Sequence, residues 1–182
     1  MQLGAPGEPN RTLSPEEAAA LDLDTPHSDE DVVFIRDMLH HHSQALVMTG
    51  YVDERTGNTD VQLLAERMGI SQTDEMALME LWLQERGEAV RDPDAAHDAH
   101  VGMPGLLTDD ELASLEAAEG TEFDTLFLTF MIRHHQGAIE MVDRLYSSGG
   151  GAESAVDQIA REVEADQNIE IARMQEMLAA ME

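Results

Sequence analysis

Two pairs of adjacent histidines, His41-His42 and His134-His135, stand 93 positions apart in matched surroundings. Met38 and Met48 flank the first pair, and Met131 and Met141 flank the second at the same spacings. A second matched segment follows each pair: Gln72, Glu75 and Met79, then Gln167, Glu170 and Met174, displaced by 95. Imidazole nitrogen and thioether sulfur together suit copper, and methionine-rich surroundings favour the cuprous ion or its silver analogue. All of these side chains are therefore candidate metal ligands. Which histidine of a pair ligates, and which is held by the glutamate, the sequence leaves open. The same residues also read as two buried His–Glu clusters that only fix helix register, with methionine as core filler. A third cluster, His97, His100 and Met103, recurs every three residues beside Asp92, Asp94 and Asp98. It reads either as a metal-capture segment or as a solvated polar loop.

The elements that must position these residues follow from the repeat. From Asp31, Phe34 and Ala45 to Asp124, Phe127 and Ala138 every member keeps the same offset, so one supersecondary unit occurs twice. At about 100° of rotation per residue, both histidines of each pair fall within the apolar stripe of their helix. His40, whose counterpart is Arg133, points away from that stripe. On the partner helices Leu64, Met68, Glu75, Met79 and Trp82 share one stripe, as do Ile159, Val163, Glu170, Met174, Met177 and Met181. Gln72 and Gln167 fall at the stripe edges. A carboxylate inside an apolar stripe must be paired, protonated or metal-bound, because burying it alone is very costly. The histidines of the neighbouring helix are the expected partners.

Helix boundaries are marked by caps and breakers. Ser14-Pro15-Glu16-Glu17 opens a short helix to about Leu23, and Ser28 to Asp31 opens a long one to about Val52. Asn58 or Thr59 starts a helix that continues to about Gly87. Asp92-Pro93-Asp94 and Met103-Pro104-Gly105 break helix, and Thr108 to Glu111 caps a short one that stops at Gly120. Thr121 with Asp124 is expected to cap the next long helix, to about Tyr146; after Gly149 to Gly151 the last helix runs to the C-terminus. The predicted fold is all-α: a ferritin-like four-helix bundle made of two repeated helical hairpins with a long crossover. The expected organisation is an extension over 1–27, hairpins over 28–87 and 121–182, and the crossover over 88–120, with 28–182 one compact domain.

Composition narrows the function. With 182 residues and few aromatics, the chain suits one helical domain. It has no cysteine and a formal charge of −28, and all ten basic residues are arginine. Thiolate sites, Schiff-base chemistry and a phosphate-binding lysine loop are excluded. Such a surface repels nucleic acid and anionic membrane and concentrates cations. No stretch has the apolar length of a membrane span. The polar opening from Gly4 to Asn10 resembles the start of a mature exported protein whose signal segment is absent from the chain.

No enzyme is expected. The di-iron signature of such bundles needs Glu three residues before His on two helices; here the residues in that position are Met38, Leu39, Met131 and Ile132. Nor is there a nucleophile elbow.

The run Phe127-Leu-Thr-Phe-Met-Ile-Arg-His-His-Gln-Gly-Ala-Ile-Glu-Met141, followed by Gln167, Glu170 and Met174, resembles the domain of unknown function 305 family over about Ser28 to Met181. Met103-Pro-Gly and Gly120-Thr-Glu-Phe-Asp124 resemble that family's link into its second half. The resemblance implies a ferritin-like bundle, export by bacteria, and in some members copper or silver binding. It carries the histidine pairs and the Gln-x-x-Glu-x-x-x-Met segments onto the residues above. The first copy departs in having Ser43-Gln44 where the second has Gln136-Gly137. The function expected is an exported protein that sequesters or buffers copper, with a metal ion as its partner. The alternative is a non-catalytic structural or interaction protein, as a homodimer or docked on another protein.

Overall fold

The computed structural model describes residues 26–90 and 103–181. The expected short helix over Ser14 to Leu23 and the His97/His100 cluster lie outside them. The described residues are helical, with no strand among them: α1 (Asp29–Gly50), α2 (Val52–Arg55), α3 (Thr59–Glu85), α4 (Asp109–Ala117), α5 (Gly120–Ser148) and α6 (Ser154–Met181). No helix of these is long and apolar enough to cross a membrane.

The caps set where the long helices begin. Ser28 and Asp31 form a reciprocal capping box at α1, and Thr108 and Glu111 form another at α4. Asn58 caps α3 by accepting from the Asp60 N–H. The cap expected from Thr121 and Asp124 is absent. α5 starts two residues earlier than that cap would set, at Gly120 with Glu119 as its N-cap, and without a side-chain cap. Asp124 is turned inward instead, where its Oδ2 accepts from Asn58 Nδ2 at 3.0 Å.

That inward turn is one half of a reciprocal clasp. Asp31, the counterpart of Asp124, is also buried, and its Oδ1 accepts from the Gly151 N–H at 2.6 Å in the loop before α6. Each copy thus uses the N-terminal part of its first long helix to hold the loop of the other copy. Where α5 ends, Gly149 adopts φ 96°, a left-handed C-cap that glycine takes without steric cost.

α1 packs along α3 and α5, α5 packs along α6, and α3 touches α6. Two apolar clusters fill the interior. One joins the end of α1 (Ala45, Met48) to the start of α3 (Val61, Met68), the start of α5 (Phe123, Phe127, Met131) and the end of α6 (Met174, Met177). The other joins the start of α1 (Ile35, Met38), the end of α3 (Met79, Trp82), the end of α5 (Ala138, Val142) and the start of α6 (Val156, Val163). Sequential long helices therefore run antiparallel. Between the two clusters, every long helix contributes polar residues at mid-height.

Candidate metal centre

The mid-height layer holds His41 and His42 from α1, Gln72 and Glu75 from α3, His134 and His135 from α5, and Gln167 and Glu170 from α6. All four histidine side chains are buried, and His40 is exposed as its place off the stripe requires. The positions expected for the amides and carboxylates are reversed. Gln72 and Gln167 are fully buried, whereas the Glu75 and Glu170 side chains keep 13% and 17% exposure. Long glutamate side chains reach toward the helix surface while still meeting the interior, which lowers the cost of their charge.

Hydrogen bonds tie the layer together across the copies and within them. His42 Nε2–H donates to Glu75 Oε2, and His135 Nε2–H to Glu170 Oε2, both at 2.6 Å. The other two histidines meet at the centre with ring centroids 3.8 Å apart. His41 Nε2–H donates to the Pro104 carbonyl at 3.0 Å, and His134 Nε2–H to the His41 carbonyl at 3.1 Å. Carbonyl and carboxylate oxygens only accept, so each Nε2 carries a proton, and a ring that is neutral then keeps its lone pair on Nδ1. All four Nδ1 atoms are buried with no hydrogen-bond partner, and so are Gln72 Oε1 and Gln167 Oε1. Buried acceptors left in this state are rare and costly in folded proteins.

The electrostatics hold two rings neutral. Burial, followed by the neighbouring His42, pulls His41 from its ordinary value down to about 3. Burial, followed by His41 and His135, holds His134 well below the imidazole range. A neutral ring is the form that binds metal. At the rim, burial and the charges of Glu75 and Glu170 push the Asp166 carboxyl up.

Four of the candidate methionines border the layer. Met38 lies one turn before His41 and Met79 one turn after Glu75, both in one apolar cluster; Met131 and Met174 are their counterparts in the other. All four are fully buried. Met48 and Met141 are buried too, but six residues beyond the nearer histidine, about 9 Å along the helix axis. The structure does not bring them into the layer. Met103 packs half-buried beside the second cluster. Among the described residues no three His, Cys, Asp or Glu side chains are placed to share one metal ion. Imidazole nitrogen and thioether sulfur, the donors that border the layer, suit copper; the amide oxygens of Gln72 and Gln167 are harder donors.

Two residues of the site escaped the sequence reading. Pro104 supplies the carbonyl that fixes His41, and Gln44 grips Leu107, its Oε1 accepting from the N–H at 2.8 Å and its Nε2 donating to the carbonyl at 3.0 Å. The signal was present as the Gln44/Gly137 mismatch between the copies.

Several proteins of known structure are similar to this chain. A DUF305 fragment from Deinococcus radiodurans is 31% identical, with TM-score 0.76, covering 86% of this chain and 99% of its own. The Streptomyces coelicolor "putative secreted protein DUF305" is 28% identical, with TM-score 0.74, covering 83% and 91%. CopM in its Cu(II)-bound form is 25% identical, with TM-score 0.69, covering 84% and 97%. Its Cu(I)-bound form, at 24% identity and TM-score 0.66, is alike in fold. Among curated proteins none matches the sequence. The family model described as "Domain of unknown function (DUF305)" matches residues 31–178, and the chain belongs to that family.

Proposed function

We propose that this is an exported copper-binding protein that sequesters or buffers the ion, in the cuprous state, within the mid-height layer. The carrying observation is the set of four buried Nδ1 atoms without a hydrogen-bond partner, each on a ring already fixed through Nε2. Carboxylate or carbonyl behind the ring and metal in front is the usual arrangement of a ligating histidine. No one ion would take three of the rings; His41, His42, His134 and His135 would supply nitrogen singly or in pairs, with sulfur from Met38, Met79, Met131 and Met174 and oxygen from Gln72 and Gln167. Glu75 and Glu170 orient His42 and His135. Likeness to CopM, solved with Cu(II), supports the metal class, and the Streptomyces coelicolor relative's name supports export. In this reading the long helices form a ferritin-like four-helix bundle of two repeated hairpins over 28–87 and 121–182, one compact unit without catalytic activity.

The test is titration of the metal-free protein with cuprous ion against a competing chelator. A variant with the four histidines changed to alanine runs beside it, its helicity checked by circular dichroism. Tight binding by the parent and its loss in a helical variant are expected; a folded parent that cannot compete with a weak chelator ends the proposal.

One observation favours the alternative of an interaction module. On α3 the outward face carries Leu63, Ile70, Leu78 and Leu81, each at least 49% exposed, where the second copy has Gln158, Ala165, Arg173 and Glu176. The fold thus tolerates polar residues there, and a second copy of the chain is the occupant to test, by sedimentation of the parent against a variant carrying the four residues of the second copy. A parent that sediments as a monomer removes this reading.

A further inference from the structure

The two copies differ beside the histidine pairs, where the crossover returns to the core. Between positions 40 and 45 three repeat-equivalent pairs differ: His40 against Arg133, Ser43 against Gln136, and Gln44 against Gly137. Two of these pairs hold segment 103–111. Arg133 binds Glu111 through two hydrogen bonds of 2.6 and 2.8 Å. Gln44 pairs with both backbone groups of Leu107. Gly137 leaves the space that the Pro104 carbonyl occupies, since a Cβ there would overlap it.

The segment is shaped to fit. Leu106 N–H returns to the Met103 carbonyl at 3.4 Å around Pro104-Gly105, and Gly105 has φ 77°. Proline followed by a positive-φ glycine is the pattern of a type II turn. A Cβ on Gly105 would come within 2.7 Å of the Arg133 carbonyl, so the turn lies directly on the α5 backbone. Its outcome is the position of one oxygen. The Pro104 carbonyl is the acceptor for His41 Nε2–H, whereas the equivalent His134 finds its acceptor in the His41 carbonyl.

We infer that the crossover turn is an orienting element for the first-copy histidine: Gln44, by clamping Leu107, sets the Pro104 carbonyl that holds His41 with Nδ1 free to ligate. Gln44 is then a positioning residue, and the departure of the first copy from the second makes the two copies' histidines unequal. This inference rests on the copper reading for what Nδ1 would bind. The orientation itself is independent of metal. His134 is held by an acceptor inside the helical core and does not depend on the turn.

The experiment compares the full chain with Gln44→Ala and Glu111→Gln, which loosen the anchors of the segment at Leu107 and Glu111, and with Gln136→Ala as a control on the exposed side of α5. Long-range proton–nitrogen correlation spectra of the metal-free proteins read the tautomer of each imidazole. The parent should show His41 and His134 as single Nε2–H tautomers. In Gln44→Ala and Glu111→Gln the His41 signals should become mixed, with His134 unchanged. Cuprous-ion titration should then show one binding step weakened by about tenfold, the lower end of what loss of an orienting partner costs. An unchanged His41 tautomer and an unchanged titration in Gln44→Ala, or equal shifts in Gln136→Ala, would overturn the inference while leaving the copper reading intact. A parent that takes up no cuprous ion overturns both. Circular dichroism of each variant excludes unfolding as the cause.

Discussion

At the scale of single residues the centre is a set of rings that have one nitrogen satisfied and one unsatisfied. His41 and His134 sit where water does not reach, and burial keeps them neutral. The consequence for stability has a definite sign. The unfolded chain protonates these rings near 6.5, the folded chain only far lower, at about 3 for His41, so stability is present above 6.5 and is lost as pH falls toward 3. The slope in this window should approach about 1.4 kcal/mol per pH unit for each histidine. Urea midpoints measured from pH 7 to 4 should fall steadily, and His41→Gln should flatten the fall; a midpoint independent of pH over that range would contradict the burial of neutral rings. Glu75 and Glu170 act on the rings they hold. Changing Glu170 to Gln should weaken metal binding about 10- to 100-fold while helicity is kept, as chelator competition can read.

At the scale of elements the helices are held to one another by polar contacts at their ends and by close backbone approach at the crossover. Glu153 is one such contact, buried, accepting from Trp82 Nε1–H and the Val156 N–H and paired with Arg86. Burial pushes its carboxyl up, but these three donors together hold it below the ordinary glutamate value. Its contribution is present above the unfolded glutamate value and is lost as pH falls through the folded one. Gly137 tests the seat of the crossover. An alanine there must displace the Pro104 carbonyl, a backbone atom that cannot rotate aside, so Gly137→Ala should destabilise by about 1–3 kcal/mol. The equivalent position in the first copy is Gln44, which shows that the demand for glycine comes from the turn and not from the helix. A urea midpoint equal to that of the parent would rule out the tight seat.

At the scale of the whole molecule, charge and surface decide behaviour in solution. A formal charge of −28 favours approach of cations and is screened by salt. Uptake of silver ion should therefore slow as ionic strength rises while the histidine-dependent affinity changes less; stopped-flow and equilibrium titration separate the two. The outward face of α3 is the other molecular feature. Replacing Leu63, Ile70, Leu78 and Leu81 by Gln, Ala, Arg and Glu should leave the urea midpoint close to that of the parent, because the second copy carries those residues in the same places. A large loss would mean that this face is packed against something the isolated chain supplies.

The positions of the long helices, their all-α character and the inward direction of both histidine pairs were legible in the residue pattern. Capping boxes, glycine stops and a period near 3.6 are local, and Ser28, Asn58, Thr108 and Gly149 fall where those rules place them. The pairing of histidine with glutamate was legible too, because a carboxylate in an apolar stripe needs a partner. What failed was whatever depended on contacts between segments far apart. Asp124 looks like a local cap, yet it reaches Asn58 on the other copy; Glu75 and Glu170 lie nearer the surface than Gln72 and Gln167, the reverse of the wheel. Local periodicity assigns a side to each residue but not the reach of a flexible side chain once neighbouring helices close around it. The sequence alone determined the repeat, the helices and the donor types. Only the tertiary structure decided which nitrogen of each ring is engaged, because the Pro104 carbonyl, the His41 carbonyl and the two glutamates come to the rings from elsewhere in the fold.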